Sequence, residues 1–212
     1  MATEEIVISK NGTIHFNASR SIHLRNCVLG RPDVFVPNVD GEWIHPENAS
    51  TAELIELAHN CPSGAIRVTA PDGSALEKPP IVNTIRLREN GPLALHAEVE
   101  VTGGEKGTRF TLCRCGASKH KPFCDGSHTQ AGFTASGEAE VKQFKPLEIR
   151  NGPLSVDPTL DGPLHISGNL EVVTGTGKTI NKVKDTWLCR CGASKNKPYC
   201  DSSHKAIGFK SG

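Results

Sequence analysis

The sequence predicts a β-rich α+β protein in two parts. A small α+β domain covers residues 1–72, and a strand-and-turn region follows, built twice as regions 81–140 and 141–212 around a pseudo-two-fold β-cap. Three observations carry this reading. The segment Cys113 to His128, CRCGASKHKPFCDGSH, recurs without a gap as Cys189 to His204, CRCGASKNKPYCDSSH, identical at 13 of 16 positions, and such self-similarity marks a duplicated unit. Short alternating runs at 81–87, 93–101 and 164–173 are broken by Asn-Gly-Pro, Gly-Gly and Asp-Gly-Pro, a pattern of strands and turns with little helix. Helical spacing is concentrated instead around residues 50–61, in the first part.

The elements follow in chain order. Residues 6–10 and 13–16 flank Asn11-Gly12, and Asn-Gly supplies the positive φ angles of a type I′ hairpin turn. Ser50 and Glu53 form a capping box, with Leu54, Leu57, Ala58 and Cys61 on one face of the helix and Pro62 and Gly64 closing it. Residues 65–69 read as a strand and 70–80 as a linker rich in Pro, Gly and Ser. Beyond it, Gly91-Pro92-Leu93 and Gly162-Pro163-Leu164 open equivalent strand-like stretches, and Gly132-Phe133 and Gly208-Phe209 follow the two repeated segments. The second copy has five more residues before its first cysteine, falling in a hairpin loop at 175–184. Each repeated segment leads into a short helix starting near Asp125 or Asp201.

Composition narrows the function. The chain of 212 residues carries 24 Lys plus Arg against 23 Asp plus Glu, so charge gives no reason to expect nucleic acid or an anionic membrane as partner. The acidic opening Met-Ala-Thr-Glu-Glu and the lack of a long apolar stretch point to a soluble, cytoplasmic protein. Eight cysteines in such a compartment argue for metal or redox use rather than a disulfide framework. Six of them lie in the two repeated segments.

Both segments fit C-x-C-x2-S-x3-P-x-C-D-x-S-H, apart from Ser202 in the second where the first has Gly126. The pattern resembles the CDGSH iron-sulfur domain family. That resemblance implies two 2Fe-2S clusters. It assigns Cys113 and Cys115 to one iron and Cys124 and His128 to the other; in the second copy Cys189 and Cys191 pair on one iron, Cys200 and His204 on its partner. The chemistry agrees, because a 2Fe-2S core needs two ligands per iron and soft thiolates suit it. Cys-x-Cys can bring two sulfurs to one iron in an extended turn, and Cys-x3-His across a helix start places sulfur and imidazole on adjacent turns. Asp125 and Asp201 are placed to cap those helices. Ser118 and Ser194 are candidates for hydrogen bonds to cluster sulfur, and Pro122 and Pro198 stiffen the loop between the ligand pairs. If the Gly126 position needs positive φ, Ser202 costs roughly 1 kcal/mol there, making the second cluster the more labile. The main rival is a Cys3His zinc site, but zinc ligand pairs usually come as C-x2-4-C with a later pair at a distance. Disulfide loops leave an odd thiol in each segment.

Cys61-Pro62 resembles the closing cysteine segment of ferredoxins, and residues 1–72 resemble the divergent ferredoxin-like, mono-cluster 4Fe-4S domain that accompanies CDGSH motifs. That family implies a cysteine about six residues before Cys27, where this chain has Ser21. Cys27, Cys61 and His23 make a poor 4Fe-4S set, so the domain is expected to bind no cluster and to serve as a docking module. His15, His45, His59, His96 and His165 have no ligand spacing, and His120 is Asn196 in the second copy.

These readings lead to one-electron transfer, or redox and pH sensing, by two 2Fe-2S clusters, with donation of clusters to apoproteins as the alternative. No nucleophile-base constellation or nucleotide-binding glycine motif suggests an enzyme. The expected partner is a redox protein or an apo-acceptor, and two motifs in one chain imply a monomer that is an intrachain pseudo-dimer.

Overall fold

The structure, a computed structural model, describes residues 4–212 and divides into two compact units, Met1–Lys78 and Pro79–Gly212. Among the described residues no helix is long and apolar enough to cross a membrane.

In the first unit, β1 (Glu4–Ser9), β2 (Gly12–Asn17) and β3 (Ile66–Thr69) form an antiparallel sheet in the order β1-β2-β3. Between β2 and β3 run the short helix α1 (Asn26–Gly30) and the longer α2 (Thr51–His59). The capping box forms as expected: the Ser50 side chain accepts from the Glu53 N–H, and the Glu53 carboxylate accepts from the Ser50 N–H. Leu54, Leu57 and Ala58 then pack with Ile14, Phe35 and Ile66 in the core. Cys61 lies beyond the end of α2, only partly buried, because the helix stops at Asn60 before Pro62.

The hairpin is present, but its turn corrects the expectation. Ser9 pairs with Gly12, so the two turn residues are Lys10 and Asn11. The Asn11 side chain is occupied elsewhere, donating to the Ala49 carbonyl at 2.9 Å. Gly12 sits in the strand at φ +150, where a Cβ would stand 3.3 Å from both Leu54 Cδ1 and the Thr69 carbonyl oxygen. Its lack of a side chain serves close packing of α2 on the sheet rather than a turn.

The second unit is one six-stranded sheet shared by the two repeats. The first repeat supplies β4 (Thr84–Leu87), β5 (Leu93–Val101) and β6 (Glu105–Leu112); the second supplies β7 (Pro153–Pro158), β8 (Leu164–Val173) and β9 (Thr179–Leu188). β5–β6 and β8–β9 are antiparallel hairpins. The short strands cross between them. β4 pairs antiparallel with β5 of its own repeat (Leu87 opposite Leu93) and parallel with β8 of the other (Ile85 opposite Val172). β7 does the mirror image, pairing antiparallel with β8 and parallel with β5. Each repeat therefore completes the sheet of the other. The core they share includes Ile85, Leu95, Phe110, Leu154, Ile166 and Leu188, each at most 1% exposed. The expected hairpin loop is shorter than 175–184, since β9 begins at Thr179 and the turn spans only 174–178.

At the crossing, fully buried Asn83 joins the repeats. Its side chain donates to the carbonyls of Gly152 (3.0 Å) and Asn169 (2.9 Å), and its backbone bonds Arg150 and Glu171.

Candidate metal centre

The two repeated segments leave β6 and β9 as matching loops. Cys113 N–H donates to Pro122 O and Cys124 N–H to Thr111 O, both at 2.8 Å; in the second copy Cys189 N–H donates to Pro198 O (2.8 Å) and Cys200 N–H to Trp187 O (2.9 Å). These bonds fold each loop back on the end of its strand. The Lys121–Pro122 and Lys197–Pro198 peptide bonds are both cis. The loops then enter α3 (Ser127–Gln130) and α4 (Ser203–Ala206).

This folding gathers the donors in pairs. Cys113 and Cys115 bring their sulfurs to 3.8 Å, as do Cys189 and Cys191. Cys124 Sγ lies 3.3 Å from His128 Nδ1, and Cys200 Sγ 3.5 Å from His204 Nδ1. None of the eight cysteines forms a disulfide, and 3.8 Å is far beyond the roughly 2.05 Å of one. Among the described residues no three or more His, Cys, Asp or Glu side chains converge on a single ion; the donors meet two by two.

Backbone N–H groups point at the sulfurs. Ala117 donates to Cys115 Sγ and Gly126 to Cys124 Sγ, both at 3.4 Å, and Ser202 donates to Cys200 Sγ at 3.3 Å. The Cys113 thiol is lowered to about 6 because it faces Cys115 and the N–H groups of Ser118 and Gly116. Cys115 is pushed up by the same pairing, burial raises Cys191, and burial takes Cys124 to about 12. A thiol that high stays protonated at neutral pH unless a cation takes the proton's place. Burial also lowers His128, favouring the neutral imidazole that a metal binds.

Two expected roles are corrected. The Ser118 hydroxyl donates to Phe123 O at 2.6 Å and accepts from His120 N–H; that of Ser194 donates to Tyr199 O at 2.7 Å and accepts from Asn196 N–H. Both are buried loop braces, and it is the Ser118 backbone that faces a sulfur. The helix caps are Gly126 and Ser202, without a side-chain cap bond. Asp125 and Asp201 stand one residue earlier, each accepting from the first helical N–H (3.0 Å) and from Lys119 or Lys195 N–H (2.8 Å). Burial opposes ionisation of Asp125, but these bonds outweigh it and hold the carboxyl at about 2. Ser202 does adopt positive φ, +69 against +85 at Gly126.

Sequence reasoning passed over Arg114, Arg190, Gly116 and Gly192, all within the repeated segments. Their identity in the two copies was the available signal. Both arginines are 2% exposed, and Arg114 Nε is a buried donor with no acceptor among the described residues, the kind of group an anionic centre satisfies.

Two duplicated loops of this kind on one shared sheet define an iron-sulfur protein. Residues 90–129 and 161–205 match the family described as iron-binding zinc finger, CDGSH type, and residues 9–71 match the divergent 4Fe-4S mono-cluster family. The chain thus carries a tandem pair of CDGSH iron-sulfur domains after a divergent mono-cluster domain. No curated protein matches it.

The donors of the second unit fit an iron-sulfur cluster in each loop: thiols and imidazole in pairs and N–H groups on the sulfurs, with the orphan Nε of Arg114 beside them in the first repeat. The first unit differs. Cys27 and Cys61 both line a cavity of about 350 Å³, together with Ser21, His23 and a wall that includes Phe16 and Trp43. Burial raises the Cys27 thiol. Two thiols, one imidazole and one hydroxyl do not fit a 4Fe-4S cluster, which takes four thiolates.

Proposed function

We propose that this protein holds two 2Fe-2S clusters, one bound by Cys113, Cys115, Cys124 and His128 and one by Cys189, Cys191, Cys200 and His204, and works as a one-electron carrier rather than an enzyme. The observation that carries the reading is the pairing of donors, S with S at 3.8 Å and S with Nδ1 at 3.3–3.5 Å in each loop. Two ligands per iron is what a dinuclear cluster requires, whereas tetrahedral zinc needs all four on one ion. When bound, such a cluster supplies one-electron chemistry. The protein's own part is to hold each imidazole with Nδ1 toward the sulfur partner, to direct the N–H groups of Ala117, Gly126 and Ser202 at the thiolates, and to keep water from Cys113, Cys124 and Cys189, which are at most 2% exposed.

A second reading, donation of clusters to apoproteins, is favoured by the placement of His128 and His204. Both sit on four-residue helices at the half-exposed face of the loops, where a neutral ligand leaves iron more easily than a thiolate. The first unit serves as the docking module for the redox or acceptor partner, in a cytoplasmic monomer.

Chemical analysis tests the assignment. Four irons and four sulfides per chain, with a red-brown colour, are expected; stoichiometric zinc without sulfide would sink it. Rapid reversible reduction with retained iron supports the carrier, and transfer of iron and sulfide to an apo-ferredoxin supports the donor.

A further inference from the structure

Arg114 and Arg190 occupy the middle of the two Cys-x-Cys pairs. Each has its charge buried and tethered to its own repeat. Arg114 donates through its two terminal nitrogens to Arg88 O (3.0 Å) and Ser136 O (2.7 Å) and lies over the Phe133 ring. Arg190 donates through Nε to Gly162 O (3.0 Å) and through a terminal nitrogen to Thr159 O (2.6 Å), and lies over Phe209. Neither guanidinium is bonded to a carboxylate among the described residues. A buried cation with only carbonyl partners is costly unless an anion stands nearby.

The other repeat's loop lies close by, across the pseudo-two-fold. The loops meet there back to back, Cys115 pairing antiparallel with Cys191. The backbones are so close that a Cβ on Gly116 would lie 2.8 Å from Cys191 O, and one on Gly192 2.7 Å from Cys115 O. Arg114 lines one cleft of about 210 Å³ with Ser194, Lys195 and Lys197 of the second loop, and in keeping with that placement the thiol charge felt by Arg114 is that of Cys189 and by Arg190 that of Cys113. Glu89 acts on Arg114, and Asp161 and Asp157 on Arg190, more weakly than those thiols.

We propose that Arg114 and Arg190 are crossed positioning charges: each guanidinium, tethered in one repeat, stabilises the cluster of the other repeat and raises its reduction potential. The inference rests on the two-cluster reading. Reduction adds negative charge, so a fixed buried cation favours the reduced state, and one unit charge at a separation on the order of 10 Å, at an effective protein dielectric of about 20, changes that equilibrium by roughly tenfold. The two sites are also unequal, since Arg190 uses Nε on a carbonyl while Arg114 Nε has no acceptor among the described residues.

A redox titration of the holoprotein tests it. Exchanging His204 for Cys marks the second cluster by lowering its potential, because thiolate is anionic where imidazole is neutral. In the H204C background, R114Q is expected to lower the marked wave by roughly tenfold in equilibrium constant, about 59 mV for one electron, and to move the other wave less; R190Q should do the reverse. R114K, which keeps the charge and loses the forked bonds, should keep the parental potential. The proposal is overturned if R114Q chiefly moves the first-loop wave, if neither glutamine variant moves either wave, or if R114K falls as far as R114Q. Should R114Q lose iron, the R190Q titration decides: a shift chiefly in the first-loop wave supports the crossed arrangement, and a shift chiefly in the marked wave overturns it. A parent protein without four irons and four sulfides would instead refute the two-cluster reading itself.

Discussion

The Cβ that Gly116 lacks would stand 2.8 Å from the carbonyl oxygen of Cys191, in the loop of the other repeat. At φ +79 the residue is also in the left-handed region, so a side chain meets both a clash with backbone and backbone strain. G116A should therefore destabilise by about 2–4 kcal/mol, combining roughly 1 kcal/mol of strain with overpacking, and should loosen both loops. G126A, at φ +85 with nothing within 4 Å of its Cβ, should cost only about 1 kcal/mol. Thermal unfolding of the two variants, with iron release followed by absorbance, checks this; equal losses would show that the loops do not depend on their contact.

Ser202 holds the position of Gly126 at φ +69. S202G is expected to stabilise by about 0.5–1 kcal/mol and to slow loss of iron from the second loop. G126S should produce the opposite change in the first. The measurement is iron release in mild denaturant, and an unchanged rate in both variants would mean the caps do not govern retention.

Buried Glu171 answers to acid. It bonds Arg150 at 2.7 Å and Lys182 at 3.0 Å and accepts from Thr179 at 3.2 Å. Burial alone would raise its carboxyl, yet these partners prevail and lower it below its ordinary 4.5. A group depressed in the folded state contributes stability that is present above its unfolded pKa and is lost as pH falls through the folded one. The parent should therefore lose stability steeply below about pH 4.5. E171Q should start lower, by about 1–3 kcal/mol because two cations lose their counter-charge, and fall less steeply. Parallel curves for the two proteins in chemical unfolding across that acid range would refute this.

Cys27 and Cys61 should be dispensable for iron. The C27S/C61S variant is expected to retain four irons and four sulfides and the parental visible spectrum. A drop in either count would assign a metal to the cavity of the first unit.

The motif, the repeat and the helix cap were legible in the amino acids alone, because each depends on residues close in the chain. Cys113 to His128 spans one loop, and the Ser50–Glu53 box spans one helical turn. Strands β5 and β8 were readable from alternation for the same reason. What the tertiary structure decided lies between distant residues. The exchange of β4 and β7 between repeats depends on pairing choices that each strand's pattern leaves equal, since a half-buried strand shows the same alternation beside its own hairpin or its neighbour's. Gly12 read as a turn residue because Asn-Gly is a turn signal, and only the approach of Leu54 and Thr69 reveals it as a packing position. Ser118 and Ser194 read as donors to sulfur until the carbonyls of Phe123 and Tyr199 were seen to take their hydroxyls. The amino acids by themselves determined which atoms are available to bind iron; the fold decided that the two loops lie back to back, because only a shared sheet brings Cys115 beside Cys191.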